Sequence, residues 1–446
     1  MTDPNPALPV LGTLPSSWRI VSFGSVLLGG TRNGIYKPKQ HHGSGAKIVN
    51  MGELFAHRRL HAVAMKRLQV TPDELGRFGL QEGDLIFARR SLVAEGAGKC
   101  SLVCEVDEPT VFESSIIRAR PNPETADSAF LFYLFSSAYG SHAMSAITRQ
   151  VAVAGITGRD LAALLIPLPP LTEQHRIARI LGALEDKIEL NRRMNHTLEA
   201  IPRAIFRSWF VDFDPVRKKM EGGEVGLPAD LAALFPASLD DSEIGPVPAA
   251  WESGSLADVA ALNSETWSNT TRPDVLQYVD LSNTKWGRIE ARTTYARRDA
   301  PSRAQRVLRS GDTIVGTVRP GNGSYAYISE DGLTGSTGFA SVRPFEANYR
   351  EFVYLAATAP DNIASLALLA DGAAYPAVRS EAVTATPVAL APHDVMARFA
   401  QISAPLFERM AYNNRESDLL TTLRDGLRPR LISGQLTMQG AERVAQ

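Results

Sequence analysis

The strongest constraint in the sequence is a helical pattern that occurs twice. Six positions between residues 177 and 205 match six positions between residues 399 and 427 at a constant shift of 222. The first set is Ile177, Leu184, Ile188, Asn191, Leu198 and Ile205, and the second is Phe399, Leu406, Met410, Asn413, Leu420 and Leu427. Steps of three, four or seven residues between mostly apolar side chains are typical of a long helix with one apolar seam. The sequence therefore predicts two long helices that can pack on each other.

The rest of the chain repeats in the same order as these helical segments. LPSSW, ending at Trp18, matches VPAAW, ending at Trp251, and EGDLIF around Gly83 matches SGDTIV around Gly311. Matches whose spacing changes only slightly along the chain are typical of an internal duplication. The apolar runs after each Gly-Asp pair predict buried strands entered from tight turns. Each half is expected to hold a mixed α/β module of roughly 150 residues followed by its long helix.

The repeat divides the 446 residues into six segments. They are a first mixed module over 1–168, a first long helix over 169–212, an acidic linker over 213–246, a second mixed module over 247–391, a second long helix over 392–436 and a tail over 437–446. A chain of this length exceeds the size at which one core stays efficient, which agrees with several domains.

Positive charge is concentrated in two stretches, although the formal net charge of −1 excludes a simple polycation. The first stretch runs from Thr31 to Arg67 and holds eight Lys and Arg residues against Glu53 alone; the second runs from Lys285 to Arg319. Either stretch alone could be an ordinary solvated face. Together they favour contact with a phosphate backbone.

The chain shows no sign of a membrane or secreted protein. No apolar run approaches the length that spans a bilayer, and the start MTDPNPALPV lacks the pattern of a signal peptide, so a cytoplasmic location is expected. Cys100 and Cys104 are the two cysteines, and no further Cys or His pair lies at metal-binding spacing. They are expected to be small buried side chains, with no disulfide and no metal site.

A search for catalytic motifs finds no complete one. GAGKC, at residues 96–100, lacks the spacing and the following Ser or Thr of a phosphate loop. HRRLH, from His57 to His61, has Arg58 where a zinc protease helix carries Glu. Glu185 in EDK fits the minimal acidic-x-Lys element of some nucleases, but a solvated charge triplet on the outer helix face is the simpler interpretation. The chain is expected not to be an enzyme, with a nuclease acting through Glu185 as an alternative.

Two regions carry a resemblance to a known family. The stretch PLPPLTEQHRIARILGALEDKIELNRRMNHTLEAIPRAIFRSWFVDFDPVRKKMEG, followed by LPADLAALFPASLDDSEIGPVPAAW, resembles the central conserved region of the specificity subunit of type I restriction-modification systems. The weaker repeat from Pro392 to Leu436, ending in RPRLISGQL, resembles the C-terminal conserved region of that family. The resemblance does not extend to the two mixed modules, and it implies that these modules choose the target sequence.

The resemblance implies an α+β fold with two mixed α/β target-recognition domains, over 1–168 and 247–391. They would be held apart by two long antiparallel coiled-coil helices about a pseudo-twofold axis. Each domain would read one half of a bipartite double-stranded DNA target. Two methyltransferase subunits would bind the helical region and methylate adenine with S-adenosylmethionine. Restriction subunits using ATP and Mg²⁺ could join in phage defence, while this subunit would hold no cofactor.

Residues for DNA contact follow from the two basic stretches and from base chemistry. Arg and Lys pair with guanine or phosphate, and Asn and Gln pair with adenine. The candidates are Lys37, Lys39, Gln40, Arg89 and Arg90 in the first module, and Lys285, Arg288, Arg297 and Arg319 in the second. A stand-alone DNA-binding regulator with the same duplicated modules is the alternative function.

Two further groups of residues are singled out on the long helices. Trp209, Phe210 and Phe213 lie where the first helix ends, and they are expected to form a docking surface for a methyltransferase subunit. Packing on the neighbouring recognition domain of the same chain is the alternative. Asn191 and Asn413 are polar positions on apolar seams, and they are expected to meet and set the register of the helix pair. Side chains that rotate to water are the alternative there.

Overall fold

A computed structural model describes residues 12–91, 96–149, 154–268, 270–372 and 375–436. The chain divides into two compact units. The first comprises Met1–Leu190 and Glu416–Gln446, and the second comprises Asn191–Arg415. Each unit therefore contains one mixed module and one part of each long helix. The expected tail, 437–446, lies outside the described residues.

The first unit is a mixed module whose main sheet has five strands. Its strands are β1 Arg19–Ser22, β2 Leu27–Asn33, β3 His42–Val49, β4 Arg59–Leu60, β5 Lys66–Leu68, β6 Leu85–Ala88, β7 Arg90–Ser91, β8 Cys100–Val103, β9 Thr110–Phe112, β10 Ile116–Pro121, β11 Ala154–Gly155 and β12 Leu165–Leu168. Its helices are α1 Met51–Ala56, α2 Pro72–Phe78, α3 Ser128–Phe135, α4 Ala138–Ile147, α5 Gly158–Ala163 and α6 Leu171–Phe210, of which residues 171–190 belong to this unit. The main sheet has the order β2-β10-β6-β8-β4, and a second has the order β5-β3-β9.

Within the described residues, the second unit is also a mixed module, with more strands than the first and with no α-helix between β17 and β22. Its strands are β13 Leu239–Asp240, β14 Val247–Pro248, β15 Glu252–Ser255, β16 Ala260–Leu262, β17 Val275–Val279, β18 Thr284–Lys285, β19 Arg288–Ile289, β20 Thr293–Ala296, β21 Ala304–Leu308, β22 Thr313–Gly316, β23 Tyr325–Tyr327, β24 Leu333–Ser336, β25 Phe339–Pro344 and β26 Pro387–Leu390. Its helices are α7 Asp214–Met220, α8 Ala229–Ala232, α9 Arg350–Ala357, α10 Pro360–Leu369, α11 Glu381–Thr384 and α12 His393–Ile432, whose residues 393–415 lie in this unit.

Sheet topology confirms the internal repeat. The order β2-β10-β6-β8 in the first unit corresponds to β16-β25-β22-β23 in the second. The pair β1-β12 corresponds to β15-β26, and the arrangement β5-β3-β9 corresponds to β20-β17-β24, with one antiparallel and one parallel pairing in each case. The two modules are thus copies of one α/β design, as the matched sequence landmarks predicted.

The repeated Gly-Asp pair has a structural reason in both units. Gly83 and Gly311 adopt positive φ angles of 87° and 95°, which admit the tight turn before the buried strands β6 and β22. The following aspartates are buried and each meets one arginine. Asp84 accepts two hydrogen bonds from Arg120, at 2.7 and 2.8 Å, and Asp312 accepts two from Arg343 at the same distances.

This ion pair extends further in the second unit. Arg343 also donates to Glu265 at 2.8 Å, and Arg309 donates to the same carboxylate at 2.9 Å. Hydrogen bonds from Arg309 and Arg343 hold the pKa of Glu265 at about 2, below its usual value of 4.5. Bidentate arginine pairing of this kind fixes geometry as well as charge, so the aspartate of each Gly-Asp pair ties the turn before β6 or β22 to the neighbouring strand β10 or β25.

The two long helices run antiparallel within each unit. In the first unit Lys187 of α6 pairs with Glu416 of α12 at 3.1 Å, and Glu185 lies 3.6 Å from Arg424. Because the higher-numbered residue of α6 pairs with the lower-numbered residue of α12, the two helices run in opposite directions. The helices extend over 171–210 and 393–432, whereas the sequence predicted 169–212 and 392–436. Pro202 lies inside α6, and the helix continues past it.

Each module packs on the helix parts of its own unit. In the first unit Ile177 and Leu181 of α6 and Leu431 of α12 share one core with Trp18 and Phe130. In the second unit the end of α6 and the beginning of α12 join an equivalent core. The apolar stripes seen in the sequence thus contact the modules as well as the facing helix.

The segment described above as an acidic linker, 213–246, packs closely on the second unit. It contains α7, α8 and β13, and β13 pairs with β14. Leu231 and Phe235 are buried in the core of that unit, with 5% and 2% of their surface exposed. A run of acidic residues is typical of a solvated linker, so the charge pattern alone did not predict that Leu231 and Phe235 are buried.

Candidate nucleic-acid interface

In the first unit the candidate Lys37 is committed to an internal ion pair. Its ammonium group donates to Glu74 at 2.6 Å and to the backbone oxygen of Gln69 at 2.8 Å, and its side chain is 14% exposed. Glu74 also caps the first turn of α2. The hydrogen bond from Lys37 is the largest cause of the lowered pKa of Glu74. Lys37 therefore holds the β2–β3 connection against α2 and is poorly placed for DNA.

The neighbouring candidates are better exposed. Lys39 and Gln40 lie on a short 3-10 helix, Lys39–His41, and both face solvent. The ring of Tyr36, 79% exposed, lies in the same connection. Sequence reasoning did not name this tyrosine, although an aromatic residue beside cations and Gln is a usual composition for a nucleic-acid surface.

Arg89 and Arg90 follow β6 and differ from each other in exposure. Arg89 is half-buried and donates to the backbone oxygen of Ser114 at 3.2 Å, whereas Arg90 is exposed on the short strand β7. Arg89 therefore supports the loop, and Arg90 presents its charge to solvent.

In the second unit Lys285 and Arg288 face each other across a tight hairpin. They are paired positions of β18 and β19, and the tip between them carries Trp286, which is 60% exposed. Two cations and an indole therefore occupy one turn, in which Lys285 is half-buried and Arg288 is exposed. The two cations were predicted as DNA contacts from the sequence, whereas Trp286 was not.

The remaining candidates of the second unit are also on the surface. Arg297 is exposed after β20, and Arg319 is exposed before a 3-10 helix, Pro320–Asn322. The Arg319 guanidinium lies 5.0 Å from the ring centre of Tyr375, which is 73% exposed. The structure thus pairs Lys285 with Arg288, and Arg319 with an aromatic ring.

The three aromatic residues at the end of α6 form part of the core of the second unit. Trp209, Phe210 and Phe213 are 3%, 5% and 7% exposed. The Phe210 ring lies 5.0 Å from Phe352 on α9 and 5.1 Å from Phe399 on α12. The expectation that these residues form a docking surface is wrong, because the chain itself covers them. The alternative, packing on the recognition module of the same chain, describes the structure.

Asparagine side chains gather where the two long helices meet in the second unit. Asn191 and Asn413 are fully buried, and the amide of Asn191 donates to the backbone oxygen of Asn413 at 3.4 Å. The Asn413 amide donates to Asn195 at 2.8 Å, and the Asn195 amide donates to Asn414 at 2.7 Å. The structure thus brings the two residues together and adds two more that the sequence analysis missed. Rotation to water is excluded by burial, while control of register stays a prediction.

Glu185 is engaged in the interior of the first unit. Its side chain is 11% exposed, Tyr133 donates a hydrogen bond to it at 3.2 Å, and Arg424 lies 3.6 Å away. The interpretation of EDK as a solvated triplet is therefore wrong for this residue. In the second unit the repeat-related Tyr354 donates to Glu199, also on α6, at 2.8 Å. Burial raises the pKa of both tyrosines, so each keeps the proton that it donates.

Metal-binding clusters, membrane-spanning helices and reactive cysteines would each indicate a different function. No group of three or more His, Cys, Asp or Glu residues in the described part of the chain could hold a metal ion. No single helix there is long and apolar enough to cross a bilayer. The bent pair Ala347–Ala357 and Pro360–Leu369 passes that test jointly, on length and composition only. Cys100 is buried, Cys104 is partly buried, and both are free thiols.

Comparison with known proteins gives a consistent answer. Residues 45–200 match the type I restriction modification DNA specificity domain. The specificity subunit of the type I restriction enzyme HindI from Haemophilus influenzae is 24% identical over 477 residues, covering 94% of this chain and all of that one. The chain thus contains a match to this specificity domain and is similar, over nearly its whole length, to specificity subunits of type I restriction-modification systems. The MjaIX specificity subunit of Methanocaldococcus jannaschii is 20% identical and covers 96% of both chains.

A solved specificity subunit shares the fold. The crystal structure of the type I restriction-modification system S subunit from M. genitalium aligns with 96% of this chain and 98% of its own, at a TM-score of 0.56 and 15% identity. The fold predicted for a specificity subunit, mixed α/β modules joined by long helices, is therefore confirmed.

Proposed function

We propose that this specificity subunit selects a bipartite DNA target and carries methyltransferase subunits to it. The observation that supports this proposal most directly is the repeat of one sheet order in two units, each built with a part of α6 and a part of α12. Two readers of the same design in one chain suit a target with two separate half-sites. The short connection of each reader to the same pair of helices would then determine the distance between those half-sites.

DNA contact in each unit would use exposed cations for phosphates and polar or aromatic neighbours for bases. In the first unit the suitable exposed side chains are Lys39, Gln40 and Arg90. In the second, the Lys285–Arg288 hairpin with Trp286 is the most prominent group. Phosphate contacts would fix the position of the protein, and base contacts would supply sequence choice. Because the whole chain has a net charge of −1, attraction to DNA must come from such local groups.

Catalysis is assigned to partner subunits. We propose that this chain catalyses no reaction and binds no cofactor, while two methyltransferase subunits use S-adenosylmethionine and restriction subunits, where present, use ATP and Mg²⁺. Since Trp209, Phe210 and Phe213 are buried, the methyltransferase must dock on other residues of the helical region. We place this activity in the cytoplasm, where the target DNA is accessible.

Coexpression of this chain with the products of the neighbouring reading frames in its genome tests this function. Affinity-purified complex would be incubated with genomic DNA and S-adenosylmethionine, and methylated adenines would be mapped by sequencing. The proposal expects methylation at one interrupted motif, only when this chain is present. Methylation without the chain, or failure of any of these products to copurify with it, would contradict it. DNA binding without any copurifying subunit would instead favour the stand-alone regulator.

A further inference from the structure

A cleft of about 480 Å³ in the first unit lies apart from all residues assigned so far. One wall is a face of α4, another is the loop that leads into β8, and the rim carries Arg58 and Arg428. The loop is the GAGKC segment, which fails the requirements of a phosphate loop by sequence. Gly98 in this loop adopts a φ angle of 78°, and this turn places the Lys99 side chain at the cleft.

Positive charge exceeds negative charge at this cleft, where the carboxylate of Asp425 lies 3.6 Å from Arg428. Arg58, Lys99 and Arg428 line the cleft, and no Asp or Glu is among the described residues that line it. Burial, and then the positive charge of Arg58, lowers the pKa of both Lys99 and Arg428. Crowded cations in a partly dehydrated place destabilise a fold unless an anion joins them. An anionic ligand at this cleft would therefore relieve the repulsion between the cations.

The present partners of these cations leave donors available. Lys99 donates to the backbone oxygen of Phe55 at 3.2 Å, and its ammonium lies 5.0 Å from the centre of the Phe55 ring. Arg58 lies over the Phe132 ring at 5.6 Å. Arg428 approaches Asp425 only to 3.6 Å. Within the part of the chain that the structure describes, no carboxylate comes within hydrogen-bond distance of any of the three.

Hydroxyl groups complete the lining. Ser141 and Ser145 of α4, and Thr148 directly after it, border the cleft. The Ser141 and Thr148 hydroxyls donate to the backbone oxygens of Ser137 and Met144, at 3.3 and 2.7 Å, so these two would have to turn to donate to a ligand. Hydroxyls and cations together are the groups that bind phosphate oxygens, which accept several hydrogen bonds at once. A carboxylate has fewer oxygen atoms than a phosphate and would accept fewer hydrogen bonds from these groups.

The repeated fold does not require this cluster. The second unit has a related strand arrangement, in which Gly287 pairs in parallel with Ala326 of β23 as β4 pairs with β8. There Trp286 takes the neighbouring position, with its ring 6.0 Å from that of Tyr325. The second unit thus has an aromatic ring where the first unit has cations. Because the shared fold forms without the cations, we infer that they have a role other than stabilising it.

We propose that this cleft is a phosphate-binding site, and that it holds backbone phosphates of the DNA bound by the first unit. The proposal rests on the proposed function, because it takes DNA as the source of the phosphate. Three cations suit consecutive phosphates better than a single carboxylate from a protein partner. A competing occupant is the chain's own Glu95, which is close in sequence to Lys99 and lies outside the described residues.

Salt dependence of DNA binding by the full-length chain tests the proposal. Fluorescence anisotropy with a labelled 30-base-pair duplex would be recorded at several KCl concentrations for the wild type, Lys99→Gln and Arg428→Gln. Each phosphate contact contributes about 0.9 to the slope of log K against log salt, so each variant should lose about that amount. Affinity at moderate salt should fall about threefold to tenfold.

Arg430→Gln is the matched control. It removes the same charge from the same helix two residues away, at an exposed position outside the cleft. Its slope should equal that of the wild type. Thermal melting should show that Lys99→Gln and Arg428→Gln are as stable as the wild type or more so, because each removes repulsion between cations. A purely structural role would predict a lower melting temperature instead.

The possible results are distinct from one another. If the wild type binds DNA with a steep slope while both cleft variants match Arg430→Gln, the cleft proposal is wrong and the proposed function survives. If the wild type does not bind DNA, the proposed function fails, and the DNA assignment of the cleft fails with it. Stabilisation by millimolar inorganic pyrophosphate without any change in the DNA slope would assign the cleft to a free phosphorylated ligand. Destabilisation by Glu95→Gln that disappears in combination with Lys99→Gln would identify Glu95 as the occupant and overturn the proposal.

Discussion

Replacing Trp209 by alanine should unfold the second unit far more readily than it disturbs any partner. The indole is 3% exposed, and its ring lies 5.1 Å from Phe235 and 6.1 Å from Phe399. Its removal leaves a cavity among the end of α6, the beginning of α12 and the segment around Phe235. The neighbouring rings are held by strands and helices of the same unit, so they can close the cavity only in part.

The expected loss of stability is about 3–5 kcal/mol, as for other buried aromatic-to-alanine changes. The second unit spans Asn191–Arg415. For a unit of this size each kcal/mol lowers the melting temperature by about 2–4 °C, so a fall of about 6–20 °C is expected. Hydrogen exchange measured by mass spectrometry should show lost protection in peptides of the second unit.

Two variants serve as controls for this change. Val211→Ala alters an exposed residue just beyond α6, 53% exposed, and should change stability by no more than about 0.5 kcal/mol. Leu431→Ala alters the repeat-equivalent position, 1% exposed in the core of the first unit, and should move the loss of protection to that unit. Should Trp209→Ala melt within about 3 °C of the wild type while methyltransferase binding is lost, the assignment of Trp209 to the core would be refuted.

Three further outcomes are expected from the same structure. Asp312→Ala, and Asp84→Ala in the other unit, should each destabilise by about 3–5 kcal/mol in urea unfolding, because each leaves an arginine without its buried partner; losses below 1 kcal/mol would show that the pairs are dispensable. Asn191→Leu should leave the melting temperature unchanged or raised while broadening spin-label distances between the helices, and an unchanged distance distribution would remove its role in register. Because the folded pKa of Glu265 is held at about 2, below the usual 4.5, its contribution to stability is present above about pH 4.5 and is lost as the pH falls towards 2; Glu265→Gln should flatten that part of the stability curve, and an unaltered curve would contradict the cause given for the pKa.

The long helices were predictable because their signal is local. Apolar residues every three or four positions define a helix face wherever that helix lies. The bounds of α6 and α12 accordingly fall within a few residues of the expected ones. The internal repeat was equally accessible, since it depends only on comparing the sequence with itself.

The site residues were harder to assign because their environment comes from distant parts of the chain. From the sequence, Lys37 was expected to be free to contact DNA, but in the structure it pairs with Glu74. Glu185 was expected to be solvated, but in the structure it contacts Tyr133 and Arg424. Spacing along the sequence carries no information on such contacts. The aromatic cluster at Trp209 was misread for the same reason, because an aromatic helix end can be covered by a partner or by its own chain.

The phosphate cleft is a further case of assembly from separate segments. Arg58, Lys99 and Arg428 are contributed by the loop before β4, the loop before β8 and the last part of α12. Only the fold brings the three cations together. The GAGKC segment lacks the features of a nucleotide-binding motif, but the fold places its Lys99 at the cleft.

Exchange of one recognition module tests the central claim most directly. Residues 15–165 would be replaced by the matching module of a related specificity subunit with a known target, and the hybrid would be expressed with its methyltransferase partner. Sequencing of methylated adenines should show a motif in which one half has changed to that of the donor, while the other half and the spacing are retained. A motif altered in both halves, or unaltered in either, would contradict the account of two independent readers on one pair of helices.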